Sequence, residues 1–319
     1  MTINAKVIGT GSYLPEKVVT NTDFKDIDTS DEWIQERTGI KTRCFARADE
    51  TTSMMAIEAA KAALKDAKIS IDEIDAIMVA TVTPDLTTPA TAMIVQRELG
   101  MTRGAAFDVS AACSGFLYAL SIADSLIKTQ KYKKMLVIGA EKLTAITDFT
   151  DRSTCVLFGD GAGAVVLSAT EEKDAGILDV ILRSDGRQVD LLKTTGGVSS
   201  TGMPGVIYMN GREVFKHAVT NLVAIADEIL EKNGLAGADV DWFVPHQANQ
   251  RIISATADRL KMPMDRVILT VDHHANTSAA SIPLAFDEAR KAGKIKKGDL
   301  VLMDAMGAGM TWAAALIRM

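Results

Sequence analysis

The 319-residue sequence predicts an α/β fold of layered sheets with two similar halves, and three features carry that reading. Segments of helical and strand-like periodicity alternate along the whole chain. Continuous short apolar runs lie beside the predicted helices, as central strands of a covered sheet do. Two local patterns also occur twice. An acidic helix end leads into a strand at residues 71–79 and again at 238–244, each followed by a proline-containing loop. A strand runs into a turn of small residues at 107–113, and 268–280 does the same. Duplication of one α/β unit accounts for both pairs.

Along the chain, residues 54–67 carry alanine and apolar side chains at helical spacing. Residues 76–82 are a β-branched run suited to a buried strand. A strand is read at 107–109 and a helix at 116–126, then strands at 135–139, 164–167, 242–244 and 300–304. No low-complexity linker separates the halves.

An apolar content of 47% is enough for a large core, and a net charge of −6 argues against a broad nucleic-acid footprint. No apolar run approaches the roughly 20 residues that span a bilayer, so membrane insertion is not expected. Only Cys44, Cys113 and Cys155 occur, with no CxxC pair. That argues against a disulfide framework and a thiolate zinc site, and unpaired thiols favour a cytoplasmic location.

Three constellations carry chemistry. In Ser110-Ala111-Ala112-Cys113-Ser114-Gly115-Phe116, small residues permit a sharp turn before a helix. A helix N-terminus favours a thiolate, so Cys113 is expected to have a lowered pKa and to act as a nucleophile. The bland alternative is a small buried hydrophobe. In Val244-Pro245-His246-Gln247-Ala248-Asn249, the histidine lies just past a buried strand, where functional groups of α/β sheets gather. Among four histidines, His246 is the best placed donor or base; the adjacent His273 and His274 do not by themselves make a metal site. In His274-Ala275-Asn276-Thr277-Ser278, Asn276 is either an active-site amide or a plain helix cap. Cysteine, histidine and asparagine together serve both cysteine hydrolysis and thioester condensation. The loops at 159–163 and 307–309 lack the spacing of nucleotide-binding motifs, and the second can aim a backbone N–H at an oxyanion.

Taken jointly, these motifs resemble those of the β-ketoacyl-acyl-carrier-protein synthase III family over essentially the whole chain. The other markers are Thr29-Ser30-Asp31-Glu32-Trp33-Ile34, Arg37-Thr38-Gly39-Ile40 and Phe158-Gly159-Asp160-Gly161-Ala162-Gly163. The resemblance implies a thiolase-like duplicated fold in five α-β-α-β-α layers, with halves at 1–172 and 173–319, and a homodimer. It implies decarboxylative condensation of an acyl-CoA primer with malonyl-acyl carrier protein through acyl-Cys113, with His246 and Asn276 stabilising the enolate and the N–H groups of Cys113 and Ala308 forming the oxyanion hole. No metal or redox cofactor is implied. CoA would be held by Trp33, Arg37, Arg152, Gly211 and Asn249, the carrier protein by Lys216, Arg251 and Arg259, and the acyl chain by Thr88, Leu143 and Phe158.

The sequence departs from the family pattern at Ala275, Ala308 and Met310, where glycine, glycine and phenylalanine are usual. Alanine is strained wherever positive φ is required. Thr88 replaces a common phenylalanine, which implies a roomier primer pocket. The rival readings are a condensing relative in a specialised pathway and, more distantly, a Cys-His-Asn hydrolase. Papain-type surroundings of the cysteine are absent, and no second cysteine follows Cys155 as a degradative thiolase requires.

Overall fold

A computed structural model of the chain describes residues 3–319. Its first sheet holds β1 (Asn4–Tyr13), β4 (Ala76–Ala80), β5 (Ala105–Val109), β6 (Lys134–Glu141) and β7 (Gly161–Thr170), in the order β1-β7-β6-β4-β5. The second holds β8 (Gly176–Ser184), β11 (Trp242–Pro245), β12 (Leu300–Gly307) and β13 (Thr311–Arg318), in the order β11-β12-β13-β8. Short ribbons are formed by β2 (Lys17–Thr20) with β3 (Thr42–Phe45), and by β9 (Leu192–Thr194) with β10 (Ile207–Met209).

The sheets repeat one topology. In the first, β1 and β6 flank β7 antiparallel, and β4 joins β6 parallel. In the second, β8 and β12 flank β13 antiparallel, and β11 joins β12 parallel. A parallel bridge from Phe243 to Val267 stands where β5 would be. Both pairs of matching sequence patterns fall on equivalent places, β4 with β11 and β5 with the stretch after Val267.

Five layers follow from where the apolar faces go. Helices α2 (Thr52–Ala67) and α3 (Thr91–Glu98) cover the outer face of the first sheet. Between the sheets lie α4 (Gly115–Lys128) and α9 (Ser281–Lys291), whose Phe116, Leu120, Ile282 and Phe286 pack on Val137, Val165, Val301 and Met303. The outer face of the second sheet is covered by α6 (Gly211–Lys232) and α7 (Gln250–Arg259), through Ile225, Ile229 and Ile253 on Leu302 and Leu316. Three shorter helices, α1 (Asp31–Thr38), α5 (Val198–Thr201) and α8 (Val271–His274), serve the connections. Close approach is built into the middle layer: a methyl on Gly139 of β6 would sit 2.1 Å from the Ala279 carbonyl oxygen. No helix of the described residues is long and apolar enough to cross a membrane.

Candidate active site

Each of the three predicted residues sits in a turn at the end of a regular element, a strand for Cys113 and His246 and a short helix for Asn276. Cys113 lies on the turn between β5 and α4, which Ala112 opens at φ 47°. Ser114 Oγ donates to Thr311 O (3.0 Å), and Thr311 Oγ1 donates to Ala111 O (3.0 Å), so the turn is tied to the β12–β13 hairpin. His246 follows β11, its N–H donating to Asp304 O on β12 (2.8 Å). Asn276 follows α8 and crosses to the first half: its N–H donates to Leu157 O (2.9 Å), and Gly159 N–H donates to Asn276 O (3.0 Å).

The side chain of Gln247 holds two of these segments together. Fully buried, it donates to Pro245 O (2.8 Å) and Ile268 O (3.0 Å) and accepts from Thr270 N–H (2.8 Å) and Val271 N–H (3.0 Å). One bond within its own turn and three to residues 268–271 set the distance between the His246 turn and the segment that delivers Asn276.

All three residues border one cavity of about 390 Å³. Leu143, Phe158, Gly211, Asn249 and Ala308 border it too. Burial decides the electrostatics. The His246 pKa is pushed down to about 3 by desolvation, so the imidazole is neutral at physiological pH. Its Nδ1 lies 2.5 Å from Ser281 Oγ, and its Nε2 is buried without a partner. If the Ser281 hydroxyl donates to Nδ1, Nε2 keeps the proton and becomes a donor. Asn276 Oδ1 accepts from Ser278 N–H (2.8 Å), which leaves the amide NH2 free to donate. Among the described residues the Ala308 N–H also has no hydrogen-bond partner.

The thiol departs from expectation. Desolvation pushes Cys113 up to about 12, while the neighbouring Ser278 favours the thiolate and the charge of Glu141 opposes it. Dipole effects of roughly 1 kcal/mol at a helix end are outweighed by the transfer of a charge out of water.

Ala275 has φ 57° and ψ −159°, so the strain expected of alanine at a glycine position is present there. Ala308 has no positive φ and borders the cavity. Met310, at φ 52°, does not border the cavity but packs against Val214 and Leu222, which do.

Trp33 is half-buried on α1, with the Arg37 and Arg152 guanidinium groups 4.7 and 5.4 Å from its ring centroid. Arg152 is held there by the Asp28 carboxylate (2.6 Å) and does not leave an open slot. Asn249 joins this cluster to the cavity, its amide donating to Arg37 O (3.0 Å). Lys216, Arg251 and Arg259 are exposed on α6 and α7, and Arg251 lies 5.6 Å over Phe215 at the cavity. Thr88 is exposed and lies outside the cavity of its own chain.

Glu288 joins His273 and His274, with its Oε2 3.0 and 3.3 Å from their Nε2 atoms; the sequence had shown only the histidine pair. Hydrogen bonding to Glu288 and Asp272 raises His273 to about 9, so the group is an ion-pair network. Ser281, Gln247 and Glu141 escaped sequence reasoning as members of the site; only their motif neighbours flagged the first two.

The chain matches the description 3-oxoacyl-[acyl-carrier-protein (ACP)] synthase III at residues 107–186 and that family's C-terminal description at 230–319. The first segment holds Cys113 and the second His246 and Asn276. It is 57% identical to β-ketoacyl-[acyl-carrier-protein] synthase III of Rhodospirillum centenum, covering 100% of both chains. It is similar to the crystal structure of 3-oxoacyl-[acyl-carrier-protein] synthase III from Aquifex aeolicus, with TM-score 0.94 and 51% identity over 99% of this chain and 100% of that one. It also resembles the priming β-ketosynthase of the R1128 polyketide pathway, with TM-score 0.94 and 38% identity over 99% of this chain and 97% of that one. With identity above half over the full length, and with both family segments bordering one cavity, the chain belongs to the β-ketoacyl-[acyl-carrier-protein] synthase III family.

Proposed function

We propose that the chain condenses an acyl-CoA primer with malonyl-acyl carrier protein, through an acyl thioester on Cys113. In the first half-reaction the cysteine sulfur attacks the acyl-CoA carbonyl, and CoA leaves as the thiol after gaining a proton. The N–H groups of Cys113 and Ala308 would receive the oxyanion. In the second, the malonyl carboxylate leaves as CO2, its electron pair becomes a thioester enolate, and the enolate carbon attacks acyl-Cys113, expelling the thiolate. The reaction as written balances with its two thioester substrates and one proton.

The observation that carries this reading is the pair of vacant donors beside the cysteine. A neutral imidazole with an unpartnered Nε2 and an amide NH2 fixed by Ser278 suit an enolate oxygen. A hydrolase would need a base that accepts protons near neutrality, and a histidine held at about 3 is unsuited to that.

CoA would enter along Trp33 and Arg37, with Arg152 swinging off Asp28 to admit the adenine, and pass Asn249 and Gly211 into the cavity. Lys216 and Arg251 flank that entrance and suit an acidic carrier protein. Arg259, two helical turns beyond Arg251, is an outlying member. Leu143 and Phe158 would hold the acyl chain. The homodimer places Thr88 in the partner's pocket, and exposed Leu86 and Met93 beside it supply apolar surface for that contact. The chain divides as halves 1–172 and 173–319, and its unpaired thiols suit the cytoplasm.

The test measures malonyl-carrier-protein decarboxylation and acyl-adduct formation separately. His246→Ala and Asn276→Ala should each lower decarboxylation by roughly 10²-fold or more while Cys113 still accepts the acyl group. Lost acylation with intact decarboxylation would contradict the assignment.

A further inference from the structure

The condensation leaves one proton unassigned within the site. Cys113 must lose a proton on acylation and regain one when the condensation expels its sulfur, yet His246 is neutral and serves as a donor. Ser278 borders the cavity together with Cys113 and favours its thiolate, and the Ser278 hydroxyl donates to Glu141 Oε1 (3.3 Å). Ser278 is 3% exposed and Glu141 0%.

Glu141 ends β6 at the interface between the halves, and no basic side chain meets it. Its Oε2 accepts from Thr83 Oγ1 (2.6 Å), Thr81 Oγ1 (3.1 Å) and Val82 N–H (3.1 Å). Oε1 has only Val82 N–H (3.2 Å) and Ser278 Oγ. One oxygen is thus saturated, and the other is bonded to Ser278, which borders the cavity beside Cys113. An anion buried without a cation is costly unless it can take up a proton.

We propose that Glu141 is a positioning residue that stores the Cys113 proton, through Ser278, for the lifetime of the acyl-enzyme. On acylation the thiol proton passes to Ser278 Oγ as the serine proton passes to Glu141 Oε1; the S–H bond breaks as the sulfur–acyl bond forms. The departing CoA thiolate takes its proton from solvent, which is the one proton the overall reaction consumes. Glu141 is then a neutral carboxylic acid while the enolate forms nearby, where a carboxylate would repel it. When condensation expels the Cys113 thiolate, the proton returns by the same path. Desolvation raises Glu141 to about 7, so it can hold or release a proton near neutral pH. Glu141 lies behind the cavity wall, whose titratable side chains are Cys113, Lys193 and His246; Thr81, Val82, Thr83 and Ser278 contribute only hydrogen bonds to it.

The inference rests on Cys113 being the acylated residue, and the test separates the two. Rapid-quench mass measurement of butyryl-adduct formation from butyryl-CoA would be run across pH for the wild type, Glu141→Gln, Glu141→Asp and Ser278→Ala, each checked for fold by circular dichroism. The wild-type rate should rise with an ionisation near 7. Glu141→Gln and Ser278→Ala should lose that ionisation and fall roughly 10²-fold at neutral pH, with partial rescue in Glu141→Asp. Difference infrared spectra should show a carboxylic-acid band that appears on acylation and is missing in Glu141→Gln. No adduct in the wild type would overturn the acyl-cysteine reading. An adduct whose pH profile is unchanged in folded Glu141→Gln, or a wild type lacking the infrared band, would overturn the proton store alone. Should Glu141→Gln fail to fold, the Ser278→Ala profile and the wild-type band decide.

Discussion

At the scale of single residues, burial outweighs local motif chemistry. The small-residue turn correctly located Cys113 at a helix start, but the expected low-pKa thiolate does not follow, because desolvation raises the thiol to about 12. The wild-type minus Cys113→Ser absorbance difference should therefore show no thiolate at pH 7 and gain it only above about pH 10. A plateau reached near pH 7 would contradict this. His246 gives a second, signed expectation. Its folded pKa is about 3 against 6.5 when unfolded, so between those values the unfolded chain binds a proton that the native state does not. Its contribution to stability falls as pH drops through that window, by up to about 1.4 kcal/mol per pH unit. Glu141 has the opposite sign: raised from 4.5 to about 7, it stabilises below 4.5 and loses that contribution as pH rises to 7. Urea unfolding across pH should show His246→Gln flattening the acid side and Glu141→Gln flattening the neutral side. Ala275 offers a third test. Its backbone stores about 1–3 kcal/mol of strain, and glycine elsewhere costs about 0.5–1 kcal/mol relative to alanine. Ala275→Gly should be neutral or stabilising by about 1 kcal/mol in urea unfolding.

At the scale of elements, the site depends on contacts between segments distant in sequence. Gln247→Ala leaves two carbonyls and two N–H groups buried without partners, and should cost about 3 kcal/mol or more in chemical unfolding. It should also lower the rate of decarboxylation more than that of acylation, because it loosens His246 and Asn276 but not Cys113. Gly139→Ala drives a methyl into the Ala279 carbonyl, next to Ser278, and should destabilise the interface between the halves. Strand recognition from sequence followed apolar runs, which is why the cores of β4, β6, β7, β11 and β12 were legible. Missing were β8 and β13 of the large sheets and the short strands of the two ribbons. Thr311–Arg318 carries three consecutive alanines, a helix-favouring composition, and becomes a strand only because β12 and β8 pair with both its edges.

Over the whole molecule, two weak internal resemblances proved to be the trace of a repeated sheet topology, because equivalent strands keep equivalent patterns. The cavity lies where the two units meet, and Cys113 comes from one while His246 and Asn276 come from the other. Those three were legible because each sits in a distinctive turn sequence. Glu141, Ser281 and Gln247 were not, since their meaning lies in partners from 34 to 137 residues away or in pairs of turns held together. The most direct test of the account is the intact mass of the protein after mixing with acetyl-, butyryl- or octanoyl-CoA, before and after malonyl-acyl carrier protein is added, with Cys113→Ser alongside. The account predicts one acyl adduct on the wild type, none on the variant, and its discharge as β-ketoacyl-carrier protein forms. An unmodified wild-type mass with every acyl-CoA, or an adduct that persists on Cys113→Ser, would contradict it.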